Sequence, residues 1–277
     1  MHYRGRMAPS PTGLLHLGHA RTFLIAADRA AGGTLVLRND DLDTQRARPE
    51  FVAAMLDDLA WLGIPWQEGP QLDGSCPGAF GPYKQSRRAA LYADAIARLK
   101  QSGAIYPCFC SRKDLQAAAH APHAEDDDEP LYPGTCRAAT VLPGQTPAWR
   151  FRVPDGESIR FDDGLLGPQE FVAGRDFGDF IVARRDGVPS YQLACVVDDA
   201  AMQITEVVRG ADLLRSTARQ ILLQRALGFS QPDYAHCALV RNERGERLAK
   251  RDAARSLRHL REAGLTPGQV RDMALNS

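Results

Sequence analysis

Short apolar runs alternate with longer amphipathic stretches along this chain, and the alternation predicts its elements. A strand ending at Arg6 gives way to a Pro/Gly/Ser turn, then to a helix that opens near His16 and carries Phe23, Leu24 and Ala27. Thr34-Leu35-Val36-Leu37-Arg38 is apolar through its middle, as a buried parallel strand is. Residues 50–62 read as an amphipathic helix behind Pro49, and Gly69 to Pro82 as a turn-rich loop. A second long helix is predicted over Ser86 to Gln101, with Leu91, Ala95 and Leu99 on one face and Gly103 as its stop. From Trp149 to Phe180 short alternating runs predict antiparallel strands. The first texture then returns: a strand over Phe180 to Arg184, a helix opening at Tyr191 toward Asp198-Asp199, a strand over Thr205 to Arg209, a helix after Gly210, and a short helical end. This order predicts an α/β fold of βαβ units. Its halves are residues 1–107 and 181–277, around an inserted subdomain at 108–180.

With 277 residues, 44% of them hydrophobic, the chain can bury a full core. No apolar run reaches membrane-spanning length and no signal-peptide pattern opens the chain, so a cytoplasmic protein without a membrane partner is the expectation. Lys plus Arg and Asp plus Glu balance at 34 each, which removes any global basic field. A nucleic-acid partner would have to be held by a local patch and by shape. Six unevenly spaced cysteines argue for a metal site or core residues rather than a disulfide framework.

Candidate chemistry concentrates at strand ends. The first turn faces outward with unpaired N–H groups and a positive helix end, which suits a polyphosphate. His16 and His19 share a helix face and can donate together to charge building on phosphate oxygens, with Gly18 between them allowing close approach of a ligand. Two surface histidines, or half a metal site, are the plainer readings. Asn39-Asp40-Asp41-Leu42-Asp43 follows a parallel strand, where doubly wound sheets place ligands; the alternative is N-capping aspartates for the next helix. Arg209, at another strand end, can clamp a carboxylate or simply pair with Asp212. Cys108, Cys110 and Cys136 make a partial zinc constellation, for which chemistry alone offers His120 or His123 as a fourth ligand. The acidic run from Glu125 to Glu129 reads as a solvated loop.

Arg6-Met7-Ala8-Pro9-Ser10-Pro11-Thr12-Gly13, then His16-Leu17-Gly18-His19 and Arg21-Thr22, resembles the nucleotide-binding signature of class I aminoacyl-tRNA synthetases of the glutamyl branch, over most of the chain. The resemblance implies a Rossmann-like nucleotide-binding fold with an inserted, zinc-containing, acceptor-binding-type subdomain. It implies ATP contacts from Pro9, Thr12, Gly13, His16, Gly18, His19 and Lys250, with His16, His19 and Lys250 catalytic and Mg²⁺ on the phosphates. It implies contacts to L-glutamate from Arg6, Met7, Ala8, Pro9, Ser10, Asp40, Tyr191 and Arg209, with Arg6, Tyr191 and Arg209 on the side-chain carboxylate. It also implies one zinc per chain, with Tyr132 as the fourth ligand beside Cys108, Cys110 and Cys136.

Three positions depart from the family pattern. Asp40 stands where a Glu usually holds the α-ammonium, and Arg247 and Ala249 replace the first Lys and the Ser of the second signature, Lys-Leu-Ser-Lys-Arg, whose second Lys matches Lys250. The short length resembles truncated paralogues of the family that lack an anticodon-binding domain. For those, the implied acceptor is the queuosine base in the anticodon stem-loop of tRNA(Asp), and the implied state is a monomer. A truncated synthetase charging a tRNA 3′ end and a non-catalytic tRNA-binding paralogue are the competing expectations.

Overall fold

β1 (Arg4–Met7) and β2 (Thr34–Leu37) run parallel, joined by α1 (Leu17–Arg29). This is the βαβ unit that the first 37 residues predict. The computed structural model describes residues 2–111, 114, 131–240 and 256–276. α2 (Pro49–Trp61) starts on its Pro, and no side chain caps it; Asp41 instead accepts from Ser86, and Asp43 pairs with Arg46. The loop behind α2 returns tightly onto β2. A Cβ at Gly69 would lie 2.0 Å from the Leu37 carbonyl oxygen, at a φ of +106°, so only glycine fits there.

The second predicted helix starts later than its periodicity suggests. Residues Gln85–Arg87 form a 3₁₀ turn, and α3 (Ala89–Gln101) follows. The Gln85 and Arg88 side chains are both drawn to Asp198, at 2.8 and 2.5 Å, and those long-range bonds shape the start. The buried stripe is also rotated from the expected one. Tyr92, Ala95 and Leu99 are buried while Leu91 is 41% exposed, because the Tyr92 hydroxyl must reach the same Asp198.

β3 (Ile105–Cys108), β4 (Ala148–Phe151) and β7 (Phe180–Ala183) form an antiparallel sheet, and β5 (Ser158–Asp163) and β6 (Gly167–Val172) form a hairpin. That hairpin lies beside the parallel strands: β5 meets β9 (Asp233–Cys237), which pairs in parallel with β8 (Glu206–Gly210). β8 in turn lies against β1 through the Thr205 N–H donating to the Arg4 carbonyl at 2.9 Å. α4 (Tyr191–Ala201), α5 (Leu214–Leu227), α6 (Leu257–Glu262) and α7 (Pro267–Leu275) cover the faces.

Period-two alternation sends each central strand into two apolar layers. Val36, Val207 and Tyr234 enter one, with α3, α4 and α5; Leu35, Leu37, Val208 and Ala235 enter the other, with α1, α2, α6 and α7. The chain runs outward from β1 on one side and from β8 on the other. The crevice at their carboxyl ends is the switch point where open α/β sheets bind ligands. Among the described residues, no helix is long and apolar enough to cross a membrane.

Candidate active site

His16 does not open α1; it caps it. Its backbone is extended at φ −129°, its Nδ1 accepts from the Gly18 N–H at 3.1 Å, and the His16 N–H donates to Nδ1 of His19 at 3.2 Å. With each Nδ1 accepting, each neutral ring carries its proton on Nε2, so both are donors. The rings lie 3.9 Å apart between centroids. The space beside Gly18 holds the His16 ring: a Cβ there would be 3.0 Å from its Cε1. Gly18 therefore admits the histidine that caps the helix. The turn in front is pinned by the Asp40 N–H to Pro9 O and the Arg48 N–H to Pro11 O. Ser10 is exposed, Ala8, Thr12 and Gly13 are half-buried, and the Met7 side chain is wholly in the core. Lys250, Arg247, Ala249, His120, His123 and the acidic run lie outside the described residues. Ser256, just beyond the Lys250 segment, pairs with His16 across an isolated β-bridge.

Arg6, Asp40 and Arg209 lie at the ends of β1, β2 and β8, and Tyr191 stands half-exposed at the N-terminus of α4. Burial pushes the Tyr191 phenol up, and Arg209, Arg6 and Asp40 are, after Cys195, among the groups whose charge acts on it, so all three lie within electrostatic reach of that ring. Arg6 is buried, donates to Val208 O at 3.0 Å, and comes no closer than 3.5 Å to Asp199; its Nε has no hydrogen-bond partner. Asp199 gives its short contact to Arg38 instead, at 2.6 Å. Arg209 is also buried, and among the described residues its guanidinium hydrogen-bonds to neutral groups alone: His236 at 3.2 Å, Gln220 at 2.8 Å and Thr217 at 2.6 Å. Among the described residues no carboxylate, Asp212 included, is within ion-pair distance of Arg209. Two buried cations that have between them only a carboxylate shared with Arg38, among the described residues, favour an incoming anion.

The sequence pattern misses the network behind the crevice. Arg38, fully buried, holds Asp40 at 2.7 Å and Asp199, while Asp198 ties α4 to Arg88, Gln85 and Tyr92. Burial pushes the Asp40 carboxyl up, against the pull of Arg38. For Asp199 burial raises the carboxyl, yet Arg6 and Arg38 outweigh it and hold it below the usual range. Adjacent aspartates, Asp198 and Asp199, directly after the apolar run Leu193 to Val197 are the sequence signal that could have exposed this network.

A second centre sits near the end of β3. The sulfurs of Cys108, Cys110 and Cys136 lie within 4.8 Å of one another. Cys110 Sγ is 3.5 Å from Cys136 Sγ, and the Tyr132 hydroxyl is 3.6 Å from Cys108 Sγ and 3.4 Å from Cys110 Sγ. Tetrahedral bonds of about 2.3 Å to sulfur and about 2.0 Å to oxygen require S···S near about 3.8 Å and S···O near about 3.5 Å. The four donors fit a tetrahedral metal ion. The Arg150 guanidinium donates to Cys108 Sγ at 3.2 Å and lies 3.9 Å over the Tyr132 ring, a cation suited to neighbouring thiolates.

Fold and crevice define a class I synthetase catalytic domain, and residues 2–273 match the family of class I tRNA synthetases (E and Q), catalytic domain, to which the chain belongs. Among its relatives, the glutamyl-Q tRNA(Asp) synthetase of Symbiobacterium thermophilum is 50% identical over 275 residues, 96% of this chain and 83% of that protein. The glutamate-tRNA ligase 2 of Nitrosococcus oceani is 44% identical over 95% of this chain but 56% of its own length. The crystal structure of a glutamate-tRNA synthetase from Elizabethkingia anophelis superposes with a TM-score of 0.85 at 29% identity, covering 99% of this chain and 61% of that one.

Proposed function

We propose that this protein is a ligase that activates L-glutamate with ATP, as its Mg²⁺ complex, and transfers it to the queuosine base in the anticodon loop of tRNA(Asp). The observation that carries the amino-acid assignment is the buried pair Arg6 and Arg209: among the described residues Arg209 meets no carboxylate, and Arg6 shares Asp199, at 3.5 Å, with the closer Arg38. A glutamate side chain supplies that carboxylate, and Tyr191 closes over it. Asp40, held by Arg38, takes the α-ammonium.

A glutamate α-carboxylate oxygen attacks the α-phosphorus of ATP, the bond to the β-phosphate oxygen breaks, and pyrophosphate leaves. The Nε2–H groups of His16 and His19 donate to the phosphate oxygens as negative charge builds on them. Pro9, Thr12, Gly13 and Gly18 seat the nucleotide, the backbone from Met7 to Ser10 seats the amino acid, and Lys250 stabilises the departing pyrophosphate. A hydroxyl of the queuosine cis-diol then attacks the acyl carbon and AMP leaves. One zinc, on Cys108, Cys110, Tyr132 and Cys136, would fix the insert at 108–180 between the nucleotide-fold halves 1–107 and 181–277. The acceptor assignment is supported by relatives of that name at 49–50% identity over 83% of their length. We further infer a cytoplasmic monomer.

The test is transfer of labelled glutamate to tRNA(Asp) with and without queuosine, with pyrophosphate exchange as the readout of the first step. Exchange that requires glutamate, rejects glutamine, and leads to label only on queuosine-bearing tRNA is the expected result. The second reading, charging of a tRNA 3′ end, is favoured by the 44% identity to a glutamate-tRNA ligase. It predicts label independent of queuosine.

A further inference from the structure

Behind Arg209 runs a chain of polar groups that the proposed reaction leaves without a role. Asp163, at the end of β5, accepts from the backbone N–H groups of Leu165 at 3.0 Å, Leu166 at 2.9 Å and His236 at 3.0 Å. The same carboxylate meets Nδ1 of His236 at 2.5 Å. His236, on β9, is 0% exposed. An ionised carboxylate only accepts, so the imidazole proton sits on Nδ1 and Nε2 keeps a lone pair. That lone pair faces Nε–H of Arg209 at 3.2 Å and Thr217 Oγ1 at 2.9 Å.

We propose that His236, locked as its Nδ1–H tautomer by Asp163, is a positioning residue that aims the Arg209 fork and so sets the selection of a carboxylate side chain over an amide. The inference rests on the glutamate reading above. A neutral acceptor is what the position requires. A carboxylate there would neutralise Arg209 and remove its call for an anionic ligand, whereas an imidazole with the proton on Nε2 would set N–H against N–H. The surroundings keep the ring neutral and its partner charged. Burial and the nearby Arg209 charge lower His236 to about 4. Burial opposes ionisation of Asp163, but the hydrogen bonds from His236 and its backbone donors hold the carboxyl below the usual range. The rest of the fork is held in the same manner: Gln220, which accepts from Arg209, is itself oriented by donating to Gln192 at 3.0 Å.

A merely structural role is the rival account, because Asp163 also lies where β5 and β9 meet. Asp163→Asn separates the two. It keeps the shape and an oxygen for the Leu165 and Leu166 N–H groups, but its amide can donate to Nδ1 and shift the proton to Nε2, toward Arg209. Nitrogen-15 NMR of histidine-labelled protein should then show the His236 tautomer inverted, with Tm changed by only a few degrees. KM for glutamate should rise by about tenfold or more, as for loss of a hydrogen bond to a charged group. KM for ATP should stay put, kcat for exchange should fall less than KM rises, and the preference for glutamate over glutamine should shrink. His236→Gln, whose amide can both donate and accept, should retain more glutamate affinity than His236→Met. The inference is overturned if the tautomer does not change in Asp163→Asn, or if it changes with KM and preference intact. It is equally overturned if KM for glutamate, KM for ATP and kcat deteriorate together as Tm drops. Wild-type exchange that ignores glutamate would remove the reading beneath it, a result visible before any variant is made.

Discussion

The two imidazoles of the first turn divide their nitrogens between structure and the proposed chemistry: Nδ1 of each caps the helix start, which leaves Nε2–H to serve as the donor to phosphate in our proposal. His19→Ala should lower glutamate-dependent pyrophosphate exchange by about 10²- to 10³-fold, the cost of one donor to a developing oxyanion. An unchanged exchange rate would contradict that role. Acid tests His236 independently of substrate. Its ordinary value of 6.5 is lowered to about 4 in the fold by burial first and then by the charges of Arg209 and Arg6, with Asp163 pulling the other way. Between those values the unfolded chain binds the extra proton and the folded chain does not. Stability therefore rises with pH across this window and is lost as pH falls from about 6.5 to about 4, by on the order of 3 kcal/mol. Asp40 and Asp58, raised to about 6 mainly by burial, work in the opposite direction, so the slope must be read as a difference. Denaturant unfolding of wild type and His236→Gln across this range should show the wild type losing more stability on acidification. Parallel curves would refute it. Arg6, His16 and His19 could be singled out in the sequence as candidates because they fall within one contiguous strand-turn-helix stretch. Asp163 and His236, 73 residues apart, make a pair that no local spacing announces.

At the scale of elements, α3 separates pattern from packing. Leu91, expected on the buried face, is exposed, while Leu99 is fully buried. Leu99→Ala should cost about 2–5 kcal/mol in denaturant unfolding, and Leu91→Ala within about 0.5 kcal/mol. Equal costs would mean the helix is rotated from the face described. The start of α3 was illegible because its rotation answers to Asp198 on α4, which lies in a different part of the sequence. β5 and β6 show the same limit: alternation predicts antiparallel strands, but nothing local indicated that β5 would also lie along β9. The three cysteines could be singled out in the sequence as candidate ligands, and the fold brings them together with Tyr132 beside them. Elemental analysis should find about one zinc per chain. Cys110→Ser should lose it, with a larger effect on transfer to tRNA than on adenylate formation. Metal-free protein with full transfer activity would exclude the site.

For the whole molecule, one crevice between β1 and β8 gathers strand ends far apart in the sequence, so the proposed amino-acid site would exist only once the parallel strands are assembled. The chain is neutral in sum, with 34 basic and 34 acidic residues, so the proposed RNA acceptor would have to be held by local shape and base contacts rather than by a long-range field. Its α/β class was legible from alternation alone, since each buried strand is an apolar run between amphipathic helices. The central claim is that glutamate goes to the queuosine base and not to a terminal ribose. The most direct measurement supplies labelled glutamate, ATP and Mg²⁺ with two substrates: an isolated tRNA(Asp) anticodon stem-loop bearing queuosine, and full-length tRNA(Asp) with its 3′ terminal adenosine removed. Both should accept label; label confined to tRNA with an intact 3′ end would contradict the claim.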